Sequence, residues 1–306
     1  MKRYFFYLFF LFYTFNLFGQ DNCSVFVVNV KGKAEKNING NWSKIKNNEF
    51  LNYNDVIRID DNSFINLFDK KEKKYFIIFG NRKLVVKDII YSSSNNSDKQ
   101  LNNIFVKVLE NFANAFSKFA ENRNITNLLR ASNQKSEVVI ISPKNSKVEG
   151  DSIIFNWVSS SQNKQFRFLL LDEELNPILD TILYDNNYLK LKNNFSFNKE
   201  YIWQLSATNS NKNVIGIFSI PDTTEIYLLK NHLDSLERTF NSLSQCDLYV
   251  LKALLCEELG FYSKAFNFYH NALVLSVDKD KYSEFLDGFF TRRKINLKSN
   301  DILTYK

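Results

Sequence analysis

The side chains that most often carry chemistry are scarce in this 306-residue sequence, which holds two His and three Cys. His232 and His270 each fall in a helix-period segment with no second ligand at metal-binding spacing, so packing or surface roles fit them better than coordination. Asp278-Lys279-Asp280 opens like a calcium loop, but the turn glycine is missing and Phe289 stands where a bidentate acid would close it, which leaves helix capping. Cys23, Cys246 and Cys256 are odd in number and lack framework spacing. The last two sit on one predicted helix, about 15 Å apart along its axis, beyond disulfide reach. No glycine-rich phosphate loop, paired metal His, Gly-x-Ser-x-Gly elbow or Cys–His pair is present. Arg292-Arg293-Lys294 closes a predicted helix, where cations are favoured, and does not call for nucleic acid. The expectation is a noncatalytic protein with no catalytic residue, metal or cofactor, acting by recognition.

Composition sets what must position any recognition surface. Hydrophobic residues at 44% and charged residues at 24%, with three Pro and eight Gly, exclude collagen-like and broadly disordered chains. Thirty Phe and fifteen Tyr beside abundant Asn, Lys and Ile follow from A/T-rich codons more readily than from aromatic binding surfaces. The net charge of +7 is spread as Lys among acids, which reads as a solvated basic surface rather than a dedicated polyanion site.

Lys2 and Arg3 precede an apolar run from Tyr4 to Phe18, with polar residues from Gln20 onward. This is the pattern of a secretory signal peptide over residues 1–19, cut after Gly19, and it places the chain in the periplasm or cell envelope. The alternative is an uncleaved anchor, the one route to a membrane in this sequence. Elsewhere no apolar stretch is long enough to span a bilayer.

Residues 24–91 alternate short β-rich runs (Val25–Val30, Asp55–Ile59, Phe64–Phe68, Tyr75–Phe79, Lys83–Ile90) with turns at Gly32, Asn39-Gly40-Asn41 and Gly80-Asn81. The order Gly32, Trp42, Ile45, Leu51, then Asp55-Val56-Ile57-Arg58-Ile59, then Ser63-Phe64-Ile65-Asn66-Leu67 resembles the periplasmic FecR-like domain. Asn48 and Asn54 replace glycines common in that family. The resemblance implies an all-β domain and signalling across the envelope. A regulator of that type holds a sigma factor with a cytoplasmic segment, and only Met1–Arg3 precede the apolar run, so direct anti-sigma activity is not expected.

A connecting amphipathic helix is expected over 98–133, with a stripe of Leu101, Phe105, Val108, Phe112, Phe116 and Phe119. Between 137 and 220 seven short strands fall in about 85 residues, the pattern of an immunoglobulin-like β-sandwich. Pro143, Phe155-Asn156-Trp157 and Tyr201-Ile202-Trp203 resemble bacterial fibronectin type III-like modules. Strand period places Trp157 and Trp203 in the core, and Tyr201 at a corner, although both Trp are also candidates for stacking on carbohydrate.

Residues 222–306 are helical, starting from a cap at Asp222. Tyr249, Ala253, Leu259, Gly260, Tyr262, Ala265, Tyr269 and Ala272 resemble a tetratricopeptide repeat over 246–279, with Cys256 and Val277 departing from the pattern. The resemblance implies that the first helix of the pair lines a groove through Asp247, Val250, Leu254, Glu257 and Glu258. These five are the expected partner-binding residues, unless the helix from Tyr282 covers them. The fold class that emerges is multidomain: an all-β FecR-like domain, a connecting helix, an immunoglobulin-like sandwich and a helical domain like a tetratricopeptide repeat. The expected function is that of an envelope scaffold or interaction protein binding other envelope proteins, in signalling or surface assembly, with a glycan- or peptidoglycan-binding protein as the alternative.

Overall fold

The computed structural model describes residues 23–92, 103–122, 138–159, 165–208 and 212–303. The expected signal peptide at 1–19 lies outside the described residues. The chain divides into two compact units, Met1–Phe116 and Ser117–Lys306.

The first unit holds β1 (Cys23–Lys31), β2 (Ala34–Ile38), β3 (Asn41–Lys44), β4 (Phe50–Asn52), β5 (Val56–Ile59), β6 (Phe64–Asp69), β7 (Lys74–Phe79), β8 (Arg82–Val85), α1 (Val86–Ser92) and most of α2 (Asn103–Asn122). Two four-stranded sheets form, in the orders β4-β1-β6-β7 and β3-β2-β5-β8. The alternation of β5 explains its place: Ile57 and Ile59 enter the core while Arg58 faces outward. The centre of β1, Val25 to Val28, is a continuous apolar run because both its faces are covered. Val25 and Val27 join the central core, and Phe26 meets Phe112 of α2 edge-on at 5.9 Å. On α2, Phe105, Val108 and Phe112 are buried as the stripe requires, together with Leu109 and Ala113. Leu101 and the Phe116 and Phe119 side chains lie outside the described residues.

The second unit opens with β9 (Val138–Ser142), β10 (Ser146–Lys147), β11 (Ser152–Ser159), β12 (Gln165–Leu171), β13 (Pro177–Tyr184), β14 (Tyr188–Lys192), β15 (Lys199–Ala207) and β16 (Asn213–Ile220). A five-stranded sheet, β10-β16-β15-β12-β13, and a three-stranded sheet, β14-β11-β9, share one apolar core. Trp157 (1% exposed) and Trp203 (0%) lie inside it, which removes both from any stacking surface. The Trp203 indole N–H donates to the Pro143 carbonyl at 2.8 Å. Its cross-strand neighbour is Gly216, where an added Cβ would stand 2.2 Å from the indole nitrogen, so only glycine leaves room for the ring. The Tyr201 hydroxyl accepts from the Ser196 N–H at 3.0 Å and ties that corner.

Five helices follow: α3 (Thr223–Thr239), α4 (Gln245–Glu258), α5 (Tyr262–Leu275), α6 (Lys279–Arg292) and α7 (Ser299–Leu303). Asp222 caps α3 by accepting from the Glu225 N–H, Ser244 caps α4 through the Asp247 N–H, and Asp278 caps α6 through the Lys281 N–H. Gly260, at φ 83°, turns the chain between α4 and α5. Helix α5 has no side-chain cap of its own. Its cap comes from the sheets: the Ser146 hydroxyl of β10 accepts from the Ser263 N–H at 3.0 Å. Beside it, the Lys147 N–H donates to the Gly260 carbonyl at 3.0 Å, and ion pairs join Lys147 to Glu225 and Glu149 to Lys264. Arg293 lies 3.4 Å over the Tyr262 ring and reaches the Asn145 carbonyl.

These contacts correct the expected fold class. The architecture is mixed, with 39% strand and seven helices among the described residues, rather than an array of all-β and all-α domains. Helix α2 packs on β1 within the first unit, and the sheets and helices of residues 138–303 fall in a single unit. The physical reason is that neither part is complete alone: α2 covers an apolar sheet face, and α5 takes its cap from β10.

Trp203→Ala should lower unfolding free energy by about 3–5 kcal/mol, the range for truncating a buried large aromatic. Urea denaturation measures this, and an unchanged midpoint would place the indole outside the core.

Candidate partner-binding surfaces

The five residues expected to line a groove on α4 are held by the fold itself. Val250 and Leu254 are buried, so neither offers apolar surface to a partner. Asp247, also buried, accepts from the Ser244 hydroxyl at 2.8 Å and, through its other oxygen, from Lys281 Nζ and the Tyr282 hydroxyl, each at 2.9 Å. Glu257 accepts from the Tyr269 hydroxyl at 2.6 Å and from Arg292 Nη2 at 2.6 Å. Glu258 is half-buried at the end of the same helix. The groove expectation is therefore corrected: α6 reaches back to both ends of α4, and the stripe between them is core. The helix from Tyr282 meets the two ends of this stripe, at Asp247 and Glu257.

Titration fits interior roles. Burial pushes the Tyr269 hydroxyl far above its ordinary range, and the Glu257 charge adds to the shift. Tyr282 is raised in the same way by burial and then by Asp247. Burial raises the Cys256 thiol and lowers the His270 imidazole, which makes the first a poorer nucleophile and the second a weaker base. Among the described residues no group of three or more His, Cys, Asp or Glu could hold a metal ion.

The outer face of the five-stranded sheet keeps a group of exposed apolar residues. On β13 the alternation sends Leu179 and Leu183 to the core and leaves Ile178, Ile182 (48% exposed) and Tyr184 (58%) outside. On β16, Phe218 and Ile220 are buried while Ile215 (53%) and Ile217 face outward. Cross-strand register joins them: Ile215 lies opposite Gln204, Gln204 opposite Leu169, and Leu169 opposite Asp180, while Ile217 lies opposite Ile202 and Arg167 opposite Ile182. Arg167 and Asp180 form a two-pronged pair within this face, with Nε–Oδ1 at 2.9 Å and Nη2–Oδ2 at 2.6 Å. At the hairpin tip, Asp172 Oδ1 accepts from the Glu174 and Asn176 N–H groups. That turn projects Leu175, 62% exposed and at φ 67°.

Sequence reasoning placed strands here but not a surface. The signal was available: Pro177–Tyr184 and Asn213–Ile220 carry large apolar residues at both parities, more than one core-facing side can use.

No family model and no curated protein matches the chain. Among solved structures, a β-glucuronidase of Parabacteroides merdae aligns at 10% identity and a TM-score of 0.20, covering 48% of this chain and 28% of that one. A β-D-glucuronidase of Dictyoglomus thermophilum aligns at 9% identity and a TM-score of 0.19, covering 89% of this chain and 60% of that one. The chain spans less than two thirds of either, and at these scores the likeness carries no argument about fold or activity.

Because Asp247 is interior, Asp247→Ala should cost about 3 kcal/mol by leaving the Lys281 ammonium and the Tyr282 hydroxyl without their acceptor. Chemical denaturation decides: full stability in this variant would return Asp247 to the surface.

Proposed function

We propose that this protein is a noncatalytic interaction protein of the cell envelope that docks another envelope protein on the outer face of β16-β15-β12-β13. The observation that carries this reading is the group of exposed apolar residues on that one face: Ile178, Ile182, Tyr184, Ile215 and Ile217. Soluble monomers rarely leave a large contiguous apolar surface in water, and such surfaces mark contacts with other proteins. Apolar side chains on β13 and β16 flank fixed polar groups, Arg167, Asp180 and Gln204, and protein interfaces combine the two in this way. The partner would present apolar anchors to the isoleucines and a polar group to the Arg167–Asp180 pair.

Export rests on Lys2, Arg3 and the apolar run that follows, and the resemblance of residues 24–91 to the FecR-like family points to the same compartment. Glycan recognition through Trp157 and Trp203 is set aside because both indoles are core.

The test pairs Ile182→Glu with Ile215→Glu. Both positions are exposed, so the double variant should keep its circular dichroism spectrum and lose little stability. It should also lose the protein that wild type retains, in constant proportion, from envelope extract. Equal retention by variant and wild type would end the proposal.

A further inference from the structure

The outer face of β3-β2-β5-β8, in the first unit, differs in character from the apolar sheet face of the second. Register places Lys44 opposite Glu35, Glu35 opposite Arg58, and Arg58 opposite Lys83, a row that crosses all four strands. Trp42 lies beside that row, with the Arg58 guanidinium 4.3 Å and the Lys83 ammonium 5.5 Å from its ring. Glu35 is already engaged, accepting from Arg58 Nε at 2.6 Å and lying 3.4 Å from Lys33, while Asp60 lies 3.3 Å from Lys33. Arg58 and Lys33 hold the Glu35 carboxyl below its ordinary range, and Asp60 and Glu35 hold the Lys33 ammonium above its own. Lys44 and Lys83 are exposed, and neither has an acid within ion-pair distance among the described residues. The face runs into a groove of about 510 Å³ at the strand ends, lined by Arg58, Asp60, Asp61, Arg82 and Lys83. The charge of the chain is uneven in the same sense. Without the expected signal peptide, residues 20–116 hold 15 Lys and Arg against 11 Asp and Glu, whereas Ser117–Lys306 holds 23 against 22.

We propose that this face and its groove bind an anionic glycan, a polysaccharide that carries a carboxylate on each sugar ring. Two cations without acid partners, Lys44 and Lys83, stand at opposite ends of a row whose centre is neutralised by the Glu35–Arg58 pair. Carboxylates one sugar apart are spaced more widely than duplex phosphates, so fewer of them meet Glu35. Duplex nucleic acid, with a charge about every 1.7 Å of axis, would crowd phosphates against Glu35, Asp60 and Asp61. A protein partner would need an apolar anchor cluster, and Trp42 has charged neighbours instead. A sugar ring offers the indole an apolar face and offers the polar side chains its hydroxyls. Lysines that alternate with acids in the sequence look dispersed, yet sheet register collects them on one face. The proposal uses no residue of the apolar sheet face in the second unit and stands or falls separately from docking there.

The probe is polygalacturonate, with neutral dextran and double-stranded DNA as comparisons, titrated against the full chain. Polygalacturonate should bind, dextran and DNA should bind at least about tenfold more weakly, and affinity should fall steeply between about 50 and about 200 mM salt. Lys44→Glu with Lys83→Glu should weaken binding at least about tenfold and leave the fold intact, because both side chains are exposed. Trp42→Ala should also weaken it, and Trp42→Phe should restore part of the loss even if alanine destabilises the sheet. The Ile182→Glu, Ile215→Glu variant should bind polygalacturonate as wild type does. Binding no tighter than to dextran, equal affinity for DNA, or wild-type affinity in the double lysine variant would each overturn the proposal.

Discussion

The Ser146 hydroxyl sits at the centre of the join between sheets and helices in the second unit. Helix α5 begins after Phe261 without a side chain of its own to satisfy its first amides, and Ser146, 117 residues earlier, accepts the Ser263 N–H. Strand β10 is two residues long and runs parallel to β16, so the pairing that places Ser146 at the helix also extends the sheet. The Lys147 N–H bonds to Gly260, the Lys147 and Glu149 side chains pair with α3 and α5, and Arg293 closes over Tyr262 and the Asn145 carbonyl. No single surface ion pair contributes much on its own. Joined to a helix cap and a backbone bond, they turn two folding patterns into one body.

That join helps to explain which surfaces are left for recognition. The sheet edge at β10 is short and taken by the helices, and the apolar stripe of α4 is used up inside the helical layer under α6. The outer face of β16-β15-β12-β13 keeps its isoleucines in water because no helix among the described residues of the unit covers them. In the first unit the corresponding decision went the other way. Helix α2 covers an apolar sheet face there, and the face left open on β3-β2-β5-β8 is charged. The apolar face and the charged face thus fall on different sheets for the same reason: each is what the described helices leave uncovered.

Much of this was readable from local pattern. Period-2 alternation located β5, β6, β11 and β15, the 3.6-residue period located α2 and α4 to α6, and Asp222 and Gly260 marked helix boundaries through cap and turn chemistry. Strands β2 and β3 flank Asn39-Gly40 but show no apolar alternation, because Lys36, Asn37, Ser43 and Lys44 sit on an open hairpin, so local pattern marks only the turn between them. What sequence spacing cannot express is contact at long range. Asp247 faces the same way on α4 as a groove residue would, and only the meeting with Lys281 and Tyr282, 34 and 35 residues on, makes it interior. Trp157 and Trp203 were assigned to the core by parity alone, whereas Ile215 and Ile182 look like core residues by type and are not.

The claim on which the account rests is that sheets and helices of residues 138–303 behave as one cooperative body, and native-state hydrogen exchange on the full chain tests it directly. Amides of β15 (Lys199–Ala207) and α5 (Tyr262–Leu275) should exchange through one opening reaction with the same free energy. In a Ser146→Ala variant that free energy should fall together in both elements, by about 1 kcal/mol for the lost cap. If α5 opens at a lower free energy than β15, and the variant lowers α5 alone, the helices and the sandwich are separate domains and the account is wrong.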